Sequence, residues 1–159
     1  MALKHMTIAG AKSNVSFSIK KLGLFSVKGS INDIKGDVSF DEKDLENSHF
    51  NVSVSPITID TGNTKRDEHL KSNDFFYVKD HPKIDFRTNT IQKKDDVYYA
   101  KGELTILSTT RSITIPFSYN EQSFSGNFSL NRLDFELGKK FPAFVVGKTV
   151  QININCKIK

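Results

Sequence analysis

The chain has 159 residues, of which 37% are hydrophobic and 26% charged, with a formal net charge of +5 and a mean hydropathy of −0.39. That length suits one globular domain with a full core, and the single cysteine, Cys156, excludes an intrachain disulfide or a cysteine-based zinc cluster. The longest apolar run, Ala143-Phe144-Val145-Val146, falls far short of the ~20 residues of a membrane-spanning helix, and with no run of five basic residues the mild positive charge reads as a solvated surface with no nucleic-acid partner.

Residues 1–12 precede the first periodic stretch and are read as an N-terminal extension; residues 13–159 are read as a single domain. Met1-Ala2-Leu3-Lys4-His5-Met6 lacks the apolar stretch of a secretory signal. His5-Met6 is also the pair a common cloning site leaves behind, so the start is compatible with a cytoplasmic protein or with an exported one whose leader was removed. From there strand alternation dominates. Val15, Phe17 and Ile19 alternate with serines. Phe25 and Val27 open a run reaching Ile31, which Ile34, Val38 and Phe40 continue. Phe50, Val52 and Val54 repeat the period, as do Ile84 and Phe86 after Pro82. Leu104 and Ile106 follow, then Ile113, Ile115 and Phe117, then Phe128 and Leu130. The last run is Val150, Ile152, Ile154, Cys156 and Ile158. Period-two patterns place one face on an apolar core and the other in water. Gly23, Gly29, Asn32-Asp33, Asp95-Asp96 and Gly126-Asn127 are the turn signals between runs. About eight strands with short connections predict an antiparallel sheet, either a closed barrel or a sandwich.

One segment breaks the rhythm. Between Gly62 and Pro82 the alternation fails and charges cluster, with Thr64 as the expected cap of a short helix and Asp67 three residues on. Such an insertion in a β domain is usually functional or a lid. Gly138-Lys139-Lys140-Phe141-Pro142 reads as a loop before the last strand.

The chemistry-bearing residues assemble into no catalytic set. His5, His49, His69 and His81 share no metal-ligand spacing, so no metal site is expected. Asp60-Thr61-Gly62 matches the aspartic-protease triplet, but that chemistry needs two aspartates sharing a proton. With one copy per chain, a dimer would have to supply the second. Polar Asn63-Thr64-Lys65-Arg66 follows, where a protease has apolar sequence. No Gly-x-Ser-x-Gly elbow or phosphate-binding glycine loop occurs. What stands out is 13 phenylalanines against 4 tyrosines and no tryptophan, bulk without polar handles, which suits a large apolar interior.

The chain resembles a known family over residues 13–158. The match begins at Asn14-Val15-Ser16-Phe17-Ser18-Ile19-Lys20 and runs through Gly36-Asp37-Val38-Ser39-Phe40-Asp41. Its most specific part is Ile57-Thr58-Ile59-Asp60-Thr61-Gly62-Asn63 with Arg66-Asp67-Glu68-His69-Leu70-Lys71-Ser72-Asn73-Asp74-Phe75-Phe76. Pro82-Lys83-Ile84-Asp85-Phe86, Gly102-Glu103-Leu104-Thr105-Ile106, Thr110-Arg111, Ile115-Pro116, Asn131-Arg132-Leu133-Asp134-Phe135 and the final alternating strand complete it. These are the marks of the YceI-like family, lipid-binding proteins with an extended lipocalin-like barrel. Ser13-Asn14 and Ser108-Thr109-Thr110 depart from the pattern, which usually has a His-Ser pair and a Gly-Asn-Thr-like turn there.

The resemblance implies an all-β fold: an antiparallel eight-stranded lipocalin-like β-barrel with a short helical insertion. It implies non-enzymatic binding, transport or sequestration of a long-chain isoprenoid lipid, whether a polyprenyl chain, a polyprenyl phosphate or an isoprenoid quinone tail. It also implies a periplasmic or exported location, no cofactor, and compatibility with transient membrane contact or a homodimer. Asp60-Thr61-Gly62 then becomes a family turn. On the apolar faces, Phe17, Ile19, Phe25, Val27, Phe50, Val52, Ile84, Phe86, Ile113, Ile115 and Phe117 are the candidates for touching the ligand, although any phenylalanine among them could equally plug a closed end. Arg66 and Arg111 are the candidates for meeting a phosphate at the rim, against the alternative of structural anchoring. Two rival readings are a stress-related interaction module with a filled barrel, and a dimeric hydrolase using Asp60.

Overall fold

The computed structural model describes residues 5–159. The strands are β1 (His5–Met6), β2 (Asn14–Lys21), β3 (Phe25–Ser39), β4 (His49–Asp60), β5 (Ile84–Lys94), β6 (Val97–Ile106), β7 (Thr109–Asn120), β8 (Ser123–Asn131) and β9 (Val146–Lys157), with one helix, α1 (Thr64–Lys71), between β4 and β5. The sheet runs β1-β3-β2-β9-β8-β7-β6-β5-β4, and β3 also pairs with β4. That last pairing closes the antiparallel barrel predicted from the sequence. Two-residue β1 lies outside the ring, paired with the far end of β3, and Ile8 bridges to Ile158. Met6 and Ile8 pack on the core.

Closure requires β3 to serve two neighbours, so this 15-residue strand bends. The expected turn at Asn32-Asp33 is instead a bulge: the β3–β4 register shifts between Ser30 and Lys35, and Asp33 takes φ 63°. Gly36 takes φ 134°, and a Cβ there would sit 2.1 Å from the Asn51 carbonyl oxygen. Only glycine allows the two strands to approach this closely.

The alternating residues point inward all round the ring, but the interior is uneven. At one end Phe40 is 1% exposed and lies within 6.1 Å, centroid to centroid, of Phe50, Tyr98, Phe117, Tyr119 and Phe124. Most of these contacts are edge-to-face or tilted, the arrangement aromatic quadrupoles favour. Ile91, Ala100 and Cys156 fill in around them, and burial pushes the Cys156 thiol up. This end is a solid plug. At the other end the same inward periodicity continues, yet Phe17, Val52, Val54, Phe128, Val150 and Ile152 are only partly buried. They face a hollow.

The hollow end is roofed by segments with no strand period. α1 is capped by Asn63, whose side chain accepts from Arg66 N at 3.0 Å, one residue before the cap expected at Thr64. Asp67 instead accepts from the Thr61 amide at 3.0 Å and the Thr61 hydroxyl at 2.5 Å. Asp60 Oδ1 accepts from Gly62 N at 2.9 Å, so the Asp-Thr-Gly triplet forms a turn. Between β8 and β9, a short 3-10 turn (Arg132–Phe135) leads into a loop gathered around one side chain. Arg132 is 1% exposed. Its Nε donates to Gly147 O at 2.9 Å, Nη1 to Leu137 O at 2.9 Å and Gly138 O at 2.7 Å, and Nη2 to Phe141 O and Val146 O at 2.6 Å each. All five N–H groups are used, although burial alone lowers the guanidinium pKa.

Arg132→Lys should destabilise the fold by about 3 kcal/mol or more, read as a lower urea midpoint, because an ammonium cannot serve this many buried carbonyls. The plug generates a second prediction. The Tyr98 hydroxyl donates to Glu42 Oε1 at 2.6 Å, and burial first, then that carboxylate, pushes the phenol up to about 12. An unfolded phenol titrates near 10, so this stabilisation is complete below about pH 10 and is lost as pH rises from there through about 12. The urea midpoint should fall across that window, and Tyr98→Phe should flatten the fall, leaving the smaller part due to Tyr119, which burial also shifts upward.

Candidate ligand-binding cavity

The hollow is a cavity of ≈ 390 Å³, within the ~300–1,000 Å³ typical of small-molecule sites. Every barrel strand contributes to its wall, from Phe17 on β2 and Val27 on β3 through Val54, Phe86, Leu104, Ile115 and Phe128 to Ile152 on β9. The wall is aliphatic and phenylalanine almost throughout. Its few polar members, Lys20, Lys21, Ser53, Arg66, His69, Asp85 and Arg132, include exposed Lys20, Lys21 and His69, where the cavity meets solvent.

Eight of the sequence candidates line this space: Phe17, Ile19, Val27, Val52, Ile84, Phe86, Ile115 and Arg66. The other five lie elsewhere. Phe50 and Phe117 point inward but belong to the plug, stacked edge-to-face at 5.3 Å. Phe25, paired with Lys21 at the tip of the β2–β3 hairpin, is 61% exposed and is not part of the cavity wall. Ile113 packs against the core without reaching the cavity wall, because β7 pairs with β8 only from Phe117 to Asn120 and has parted from it at this height. In the gap sits the 3-10 turn, and Arg111 Nε donates to Asp134 O there at 3.0 Å, on the outside.

Arg66 reaches the cavity in a fixed pose. Its Nε donates to the Thr61 hydroxyl and Nη2 to Thr61 O, both at 2.8 Å. The guanidinium therefore anchors the β4–α1 turn while presenting its edge to the space. His69 Nε2 lies 2.8 Å from Asp74 Oδ2, and that hydrogen bond is the main reason the Asp74 carboxyl sits below its usual range, with Lys140 adding a smaller pull. The ring faces of this pair are covered: His69 meets Phe75 and Phe141 edge-on, and Phe75 stacks on Phe141 at 5.0 Å and 7°. Gly138, at φ 65°, permits this stack, since a Cβ there would lie 2.6 Å from the Phe75 ring.

Phe75, Phe76, Leu70, Leu137 and Phe141 are wall residues that strand periodicity does not reveal. They arrive from helix and loop. The only sequence signal for them is their place in the Arg-Asp-Glu-His-Leu and Asp-Phe-Phe strings and in the loop before β9. Among the described residues, no three His, Cys, Asp or Glu side chains come together as a metal site.

Comparison with known proteins agrees with this architecture. A UPF0312 protein of Vibrio campbellii is 31% identical over 139 residues, covering 80% of this chain and 74% of its own. The crystal structure of Burkholderia cenocepacia BcnA superposes with a TM-score of 0.87 over 96% of this chain and 99% of its own, at 22% identity. A polyisoprenoid binding domain from Saccharophagus degradans superposes with a TM-score of 0.73 over 99% of each chain, at 9% identity. At those identities the two structures share the fold. The model of the YceI-like domain matches residues 6–158, and the chain belongs to that family.

Proposed function

We propose that this protein binds the hydrocarbon tail of an isoprenoid lipid inside its barrel, as a carrier or a sequestering protein. The observation that carries the reading is the wall of the cavity. A wall dominated by Val, Ile, Leu and Phe from every barrel strand gives a sugar or nucleotide few hydrogen-bond partners, whereas a branched hydrocarbon is its chemical complement. The Saccharophagus degradans domain, described as polyisoprenoid-binding, has the same fold and supports the choice of ligand class. The plug makes the cavity blind, so a tail would enter end-first from the side of α1, with its headgroup left near Lys20, Lys21 and His69.

The energetics favour tail over headgroup. Burying one CH₂ contributes about 0.8 kcal/mol, so a five-carbon isoprene unit gives roughly 3–4 kcal/mol. Micromolar affinity needs about 8.2 kcal/mol after the cost of association. A few enclosed units supply that without a specific headgroup contact, and Arg66 is already committed to Thr61. Polyprenyl chains, polyprenyl phosphates and quinone tails are therefore all accommodated by one mechanism. The reading of a filled barrel describes the plug half only.

The test is organic extraction of purified protein followed by mass spectrometry, which should release a prenyl lipid. Val54→Phe and Ile152→Phe project a ring into the hollow and should fold normally. Each displaces about one isoprene unit, worth about 3 kcal/mol, so affinity for a fluorescent prenyl probe should drop roughly 100-fold. Protein that never yields a lipid, together with probe binding untouched by both substitutions, would overturn the proposal.

A further inference from the structure

The mouth of the barrel carries an exposed apolar patch that the cavity does not use. Leu22, Leu24 and Phe25, at the tip of the β2–β3 hairpin, are 54%, 80% and 61% exposed, and Phe144, in the loop before β9, is 78% exposed. Leu22 N donates to Val145 O at 3.0 Å, which ties the hairpin tip and that loop into one surface. The surface is continuous with the cavity rim, since Lys20, Lys21, Val145 and Val146 line the opening. Its charge is one-sided: residues 20–28 and 139–149 together hold six lysines and no acidic residue. Lys139 and Lys140 are paired with Glu136 and Asp74, whereas Lys20, Lys21, Lys28 and Lys148 have no carboxylate partner among the described residues.

We infer that this face docks on an anionic membrane surface, with Leu22, Leu24, Phe25 and Phe144 entering the interface and the lysines resting on lipid headgroups. Apolar side chains ringed by lysine are the composition that interfacial binding selects, apolar burial and attraction to anionic lipid adding together. A second copy of the chain fits worse, because a twofold contact would set this basic patch against itself. The inference rests on the isoprenoid reading for its purpose: the mouth would face the bilayer from which a tail is drawn. Its test, however, is made with no isoprenoid present.

The test is flotation of the protein with vesicles of phosphatidylglycerol and phosphatidylcholine in equal parts, against vesicles of phosphatidylcholine alone. The wild-type protein should bind the anionic vesicles preferentially. Raising the salt should release it, each engaged lysine being worth about fivefold in binding at low salt. The double variant L24S/F144S, changed only at exposed positions outside the cavity wall, should bind at least tenfold more weakly while keeping the wild-type urea midpoint. Wild-type protein that ignores the anionic vesicles would overturn the inference, as would a double variant that binds them undiminished. So would wild-type dimers that L24S/F144S converts to monomers, if the wild type shows no vesicle binding.

Discussion

The pairing of β3 with β4 is the constraint on which the hollow half depends. A protein interior normally closes on any void, because unmatched surface forfeits dispersion contacts. Here the wall cannot simply fall inward. Each barrel strand is hydrogen-bonded to a neighbour on both sides, and where β7 and β8 part beyond Phe117 the 3-10 turn of Arg132–Phe135 fills the gap and is tied to Arg111. The backbone ladder carries the load that side-chain packing carries elsewhere. The Gly36 approach and the Asp33 bulge are the local adjustments by which one long strand reaches both neighbours.

Stability is concentrated where the barrel is solid. The rings around Phe40 and the side chains beside them bury their surface without help from any guest. The roof of the hollow end is organised differently, by polar chemistry. Arg132 draws five carbonyls from the loop and the start of β9 onto one planar group, and that loop in turn sets Phe141 against Phe75. A buried cation with all its donors used adds to the packing of Phe135 and Leu137 in defining a single loop conformation. The opening beside α1 is therefore a shaped one, framed by Arg66, His69 and the hairpin.

The strands were legible in the sequence because their inward face is written in period two, most plainly in Val150, Ile152, Ile154 and Cys156 of β9, whereas the choice of barrel over sandwich came from the family resemblance. Periodicity reports the face of a strand but not the height along the barrel. Phe50 and Phe117 obey the same alternation as Phe17 and Phe86, and only the ring as a whole separates plug from cavity. Phe25 obeys it too, yet stands exposed at the hairpin tip. Arg66 and Arg111 show the converse limit: two arginines equal on paper, one turned to the cavity by a turn it anchors, the other outside on Asp134. Phe75, Phe141 and Arg132 lay beyond reach because helix and loop impose no period, and their roles arise from contacts between distant segments.

The split between plug and hollow also bears on how such a chain can diverge. A larger residue at Val150 or Ile154 meets open space, and a smaller one merely widens room that already exists. The same exchanges around Phe40 would strip or crowd several rings at once. Selection can thus reshape the pocket for new guests while the melting temperature is guarded by a different set of residues, and one scaffold can be retuned without being refounded.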